Sequence, residues 1–148
     1  MLCRKYQLSI DAAVVLSLAL VSIVGCSDGR PARVNVSGRV TIDGKPLTLG
    51  SVKFVPEGAR PSSGSINSEG QFNLSCYEDD DGVVTGLHRI QVSSYEVMGE
   101  KVNRHAPIKY ANYTTSGITF EVMAPTDSLV IELYADGRPA KVHDDAAK

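Results

Sequence analysis

The sequence predicts an all-β protein: a sandwich of about seven short strands and roughly 100 residues, preceded by an N-terminal signal helix. Two observations carry the fold class. Apolar and polar residues alternate with period two in several short segments, and turn-forming Gly, Pro, Asn and Asp punctuate them. A third agrees: from residue 26 onward no segment sustains a 3.6-residue apolar period over a helix-length window. Composition excludes several classes of function. With 15 Lys+Arg against 17 Asp+Glu over 148 residues, the chain is not a strongly basic nucleic-acid binder. Three cysteines are too few for a dense disulfide scaffold. The absence of Trp and an aromatic content of 6% disfavour a stacking platform for bases or sugars.

In chain order, the first feature is a targeting segment. Arg4 and Lys5 form a short positive region, and from Ala12 to Cys26 there is no charge. That run is shorter than the roughly 20 residues a membrane-spanning helix needs, and it fits the apolar region of a secretory signal. It ends in Ile23-Val24-Gly25-Cys26. This resembles the bacterial lipobox, in which a diacylglycerol is attached to the Cys thiol and cleavage leaves the lipidated Cys as the new N-terminus. The resemblance implies a signal peptide over 1–25, acylation at Cys26, and a short polar tether over 26–33. Two acyl chains suffice for stable anchoring at about 0.8 kcal/mol per buried CH₂. The competing expectation is a plain signal peptide or a short uncleaved anchor. The chain from residue 26 carries 13 Lys+Arg and 16 Asp+Glu.

The folded part is expected over 34–135. Val34, Val36, Val40 and Ile42 alternate with polar residues, and Gly38 takes one inward position, marking a close approach or a bulge. Asp43-Gly44 is a hairpin turn signal, because Gly accepts positive φ. Ser51–Val55 is the next strand, ended by Pro56. A Gly-, Pro- and Ser-rich loop follows over Glu57–Ser65. Ser65-Ile66 and Gln71–Cys76 read as a second hairpin around Asn67–Gly70, with Phe72, Leu74 and Cys76 on one face. Glu78–Gly82 is an acidic loop. His88–Ser94 alternates, with Ile90 and Val92 inward. Val97–Tyr113 lacks periodicity and contains Pro107, so a long excursion is expected. Ile118, Phe120 and Val122 alternate; Ala124–Asp127 turns; Ser128–Tyr134 is a dense apolar strand. The polar segment 136–148 is expected to be a disordered tail.

The stretch Val36-Ser-Gly-Arg-Val-Thr-Ile-Asp-Gly-Lys-Pro-Leu-Thr-Leu-Gly-Ser-Val-Lys-Phe-Val-Pro56 resembles the opening of carboxypeptidase regulatory-like domains. Gly64–Phe72 is similar to their Gly-x-Thr-Asp-x-Asp-Gly-x-Phe hairpin, and Gly86–Val92 to their Pro-Gly-x-Tyr-x-Val-x-Val strand. The whole chain resembles the small secreted lipoproteins of planctomycetes, which add a late segment like Pro107–Val122. The resemblance departs at an extra residue before Gly50 and at Thr85-Gly86 where Pro-Gly is usual. It implies a transthyretin-like (prealbumin-like) β-sandwich in the bacterial envelope, on the periplasmic or outer-membrane side. It implies little about activity.

No catalytic motif is apparent. His88, His105 and His143 sit in unrelated contexts, and Ser63-Gly64-Ser65 does not make a Gly-x-Ser-x-Gly elbow. Neither catalysis nor a cofactor is therefore expected. Glu78, Asp79 and Asp81 offer hard oxygen ligands and form a candidate weak calcium site. Their spacing differs from an EF-hand and adjacent acids cannot all face one ion, so a solvated loop is the alternative. Cys76 is either a reactive thiol or a small buried apolar residue. Tyr110 and Tyr113 form a candidate interaction patch, or else close one end of the sandwich with their hydroxyls at the rim. The functional expectation is a non-catalytic, lipid-anchored structural or protein-interaction module. Its partners would be the membrane, through the lipid, and an envelope protein or polymer, with no nucleic acid. A carbohydrate- or calcium-binding accessory domain is the alternative.

Overall fold

A computed structural model describes residues 29–147. The expected signal helix, the lipobox residues Ile23, Val24 and Gly25, and the acylation site Cys26 lie outside the described residues.

The chain is all-β. In order, the strands are β1 (Arg33–Val34), β2 (Val36–Ile42), β3 (Lys45–Pro46), β4 (Gly50–Pro56), β5 (Ser62–Ile66), β6 (Gln71–Asn73) and β7 (Val83–Val84). They continue as β8 (Gly86–Ser93), β9 (Tyr95–Met98), β10 (Lys101–Arg104), β11 (Ile118–Val122), β12 (Thr126–Leu133) and β13 (Lys141–Asp144). Single 3₁₀ turns occupy Ile108–Ala111 and Asp145–Ala147. One sheet has the order β11-β8-β4-β5 and is antiparallel throughout. The other runs β13-β12-β2-β3, with β6 also on β2. Two short ribbons, β1-β7 and β9-β10, complete the structure.

Alternation builds the core as the sequence anticipates. Val36 and Val40 of β2, Phe72 of β6, and Leu129, Ile131 and Leu133 of β12 are buried. So are Val52 and Phe54 of β4, Ile90 and Val92 of β8, and Ile118 and Val122 of β11. Residues of both sheets belong to one contiguous apolar cluster. Each such side chain contributes about 1.5–3 kcal/mol of transfer free energy on burial.

Two local features fix the register. Asp43 and Gly44 turn the chain with φ of 48° and 79°, both in the left-handed region a tight primed turn requires. Gly38 sits where β2 runs parallel to β12. A Cβ there would lie 2.0 Å from the Leu129 carbonyl oxygen, so only glycine permits this approach. The inward glycine is thus a close backbone contact, one of the two expected meanings. Between Thr126 and Leu129 the β2–β12 register shifts as well, which re-aims Asp127 and Ser128.

The structure corrects three expectations. Over its described residues, to 147, the segment 136–148 is not a disordered tail: β13 pairs antiparallel with β12, from Leu129↔Asp144 to Glu132↔Lys141. The bond from Ser128 Oγ to Asp144 Oδ1 (2.7 Å) and the Arg39–Asp145 ion pair (3.0 Å) hold its end. The second hairpin turns as read, with Asn67 N donating to Gln71 O at 2.9 Å, but its arms separate. β5 joins β4 in one sheet and β6 joins β2 in the other, leaving only the Ser63↔Ser75 bridge between them. The excursion 97–113 contains a second ribbon, β9-β10, and a 3₁₀ turn.

Candidate functional site

Three regions bear on function: the place where the tether meets the body, the two tyrosines, and the protruding ribbon. At the first, β1 pairs with β7 (Arg33↔Val84 and Val34↔Val83). Gly82 allows this closeness with φ of 84°, since a Cβ there would lie 2.2 Å from the Val34 oxygen. Arg33 donates to Pro31 O at 3.1 Å, and its Nε pairs with Asp81 Oδ2 at 3.1 Å. The guanidinium groups of Arg33 and Arg60 lie 5.0 and 4.9 Å from the Tyr77 ring centroid, within cation–π range. The body therefore grips the end of the tether, at Arg33, by backbone pairing, an ion pair and aromatic contact together.

The same geometry decides the fate of the acidic loop. Asp81 Oδ1 accepts the Cys76 N–H at 2.6 Å and Oδ2 accepts the Tyr77 N–H at 3.0 Å. Burial pushes this carboxyl up, but N–H donors from Cys76, Tyr77 and Glu78, with the Arg33 charge, outweigh it and hold the pKa below the ordinary carboxylate value. Asp80 is likewise used, accepting from Asn73 Nδ2 at 2.5 Å while its own N–H donates to Ser75 Oγ at 2.9 Å. Among the described residues no group of three His, Cys, Asp or Glu side chains is placed to hold a metal ion. Of the three candidate calcium ligands, Asp81 is engaged within the chain, where its carboxylate ties the loop to Cys76, Tyr77 and Arg33.

Cys76 is buried, with Sγ 3.6 Å from Arg60 O, in keeping with the buried-thiol expectation. Tyr110 and Tyr113 do not form one patch. Tyr110 is fully buried and its hydroxyl donates to Arg138 O at 2.6 Å, which ties the 3₁₀ turn to the segment leading into β13. Burial raises its phenol pKa. The interaction patch is corrected accordingly: Tyr110 packs inside and only Tyr113, 38% exposed, reaches the surface, where it lines two shallow grooves together with Arg89.

His88 was not singled out from the sequence. It is wholly buried on β8, its ring centroid 5.7 Å from that of Phe54. Nε2 donates to Val84 O at 2.7 Å, because a carbonyl can only accept; Nδ1 is buried without a partner among the described residues. Burial lowers its pKa against the opposing effect of that bond, so the ring is kept neutral. Its inward position in the alternation with Ile90 and Val92 was the signal available.

A polar trough of about 920 Å³ lies along β2, β6 and the β12 bulge, where Ser37, Arg39, Gln71, Asn73, Asp127 and Ser128 meet. Arg39 is already paired with Asp145. In contrast, all eight residues of β9 and β10 are exposed. Val97 (64%), Met98 (68%) and Val102 (52%) stand out among them. No protein-family profile, no curated protein and no solved structure matches the chain.

Proposed function

We propose that the chain is a lipid-anchored, non-catalytic protein-interaction module of the bacterial cell envelope, built as a transthyretin-like sandwich of the carboxypeptidase regulatory-like kind. The observation that carries this reading is the position of Cys26. It follows an uncharged apolar run directly and precedes, by seven residues, a strand whose first side chain the body grips through Asp81 and Tyr77. Two sheets sharing one apolar cluster support the sandwich. The exposed β9-β10 ribbon supports contact with a partner, since exposed apolar strands are otherwise an aggregation liability. The polar trough favours a second reading, a polyhydroxylated ligand held by amide, hydroxyl and carboxylate groups.

The test is expression of the full chain in a bacterial host with labelled palmitate and globomycin. The reading expects label on the wild-type chain, its loss in Cys26→Ala, and accumulation of an unprocessed form under globomycin. An unlabelled wild type, or a Cys26→Ala chain that still fractionates with membranes, contradicts it.

A further inference from the structure

The ribbon β9-β10 has two unlike faces. The register Val97↔Val102 and Tyr95↔Arg104 puts three apolar side chains and one cation on one face. Met98↔Lys101 and Glu96↔Asn103 make the other face polar apart from Met98, and Glu96 Oε2 pairs there with His105 Nε2 at 3.1 Å. The turn is tight, with Gly99 at φ of 65° in the first central position, as a type II′ turn requires. No residue of the ribbon belongs to the core cluster, and each strand has a single pairing partner among the described residues. An isolated two-stranded ribbon is marginal in water. Its apolar face and open edges mark it for completion by another chain.

Charge identifies what completes it. The edge strand β10 carries Lys101 and Arg104 and no acid, although the chain as a whole is acidic. Neither cation is ion-paired among the described residues. We propose that the open edge of β10 takes an extended segment of a partner protein by strand addition. An apolar residue of that segment covers Val102 and Val97, and carboxylates two places to one side and one place to the other face Arg104 and Lys101. Such a segment reads acid, any residue, apolar, acid.

Placement within the body agrees. β1 pairs with β7, which runs through Thr85 into β8; the ribbon begins just after the far end of β8. The eight residues of β8 span about 26 Å. The end of the tether and the ribbon therefore join opposite ends of one strand. Strand addition does not rest on the anchoring reading above, so the experiment measures binding without using anchoring.

The full chain, purified in detergent, is titrated into a fluorescein-labelled peptide TVETVETV, which contains the stated pattern, and binding is read by anisotropy. Saturable binding is expected, weaker by about tenfold or more after the double reversal Lys101→Glu and Arg104→Glu, which removes two attractions and adds two repulsions. The reversed chain is expected to prefer the lysine analogue TVKTVKTV. A peptide N-methylated on alternate amides should lose binding, because strand addition needs its backbone donors. Far-ultraviolet circular dichroism confirms that the variant is folded. The proposal is overturned if no saturation appears by about 1 mM, where binding is only about −4 kcal/mol. It is also overturned if glutamate and lysine peptides bind alike or the N-methylated peptide binds unchanged. Two further results replace the occupant and overturn it: self-association in sedimentation that Val97→Asp abolishes, which assigns the edge to a second copy; and binding of the Cys26→Ser chain to phosphatidylglycerol vesicles that the charge reversal removes, which assigns it to lipid.

Discussion

Replacing Asp81 with alanine should cost the domain about 3–4 kcal/mol. The substitution leaves the Cys76 and Tyr77 N–H groups, now 2.6 and 3.0 Å from carboxylate oxygens, without their acceptor. Hydrogen bonds to a charged acceptor contribute about 1.5–3 kcal/mol each, and partial access of water places these two at the low end. The Arg33 pair, with side chains only 18% and 14% exposed, adds up to about 1 kcal/mol. For a domain of this size the loss lowers Tm by about 10–15 °C. Asp81→Asn keeps one acceptor oxygen and should cost less, about 1–2 kcal/mol. Asp79→Ala, at an exposed position two residues away, should stay within about 0.5 kcal/mol. Urea unfolding at neutral pH separates the three, with m unchanged if only stability differs. The pH dependence has a definite sign. Because the folded-state carboxyl titrates below its unfolded value, its contribution is complete above the ordinary carboxylate range and is lost as pH falls through the depressed pKa. Asp81→Asn removes that part of the acid transition. The reasoning is refuted if Asp81→Ala costs no more than Asp79→Ala, or if millimolar calcium raises Tm in the wild type but not in Asp81→Ala.

Three other perturbations probe the fold. Gly38→Ala forces a methyl group against the Leu129 carbonyl and should cost about 2 kcal/mol or more in urea unfolding; an effect near zero would mean that β2 and β12 are not in this register. Tyr110→Phe leaves Arg138 O without its buried donor and should cost about 1–2 kcal/mol, with faster amide exchange in β13; an unchanged exchange rate contradicts the tie between them. His88 has a folded pKa below its unfolded value, so stability is full above about pH 6.5 and falls as pH drops through the lowered pKa. His88→Leu should flatten that fall in denaturation midpoints taken between about pH 5 and 7, and an unaltered slope would show that the ring is not held neutral.

Where a strand has one wet face and one dry face, its period-two pattern was readable: β2, β8 and β11 place Val40, Ile90 and Ile118 inward as the alternation indicates. Local turn chemistry was readable too, at Asp43-Gly44. Three features were not. The parallel pairing of β2 with β12 joins segments some ninety residues apart, and no local signal encodes it. β13 has a single apolar residue, Val142, and is held by backbone pairing and by Ser128 and Arg39, so its sequence looks like tail. β9 and β10 are exposed on both faces, so no burial imposes alternation, and only Gly99 between Met98 and Lys101 hints at the turn. At the candidate sites, residue type alone does not show how a side chain is used: backbone N–H groups and Arg33 engage Asp81, and Tyr110 lies inside while Tyr113 reaches the surface.

Intact-mass and peptide mass spectrometry of the full chain recovered from bacterial membranes bears most directly on the anchored-module account. It predicts a mature chain that begins at Cys26, carries a diacylglycerol on the thiol, and is absent when Cys26 is replaced by alanine. A chain that begins elsewhere, or begins at Cys26 with an unmodified thiol, would contradict it.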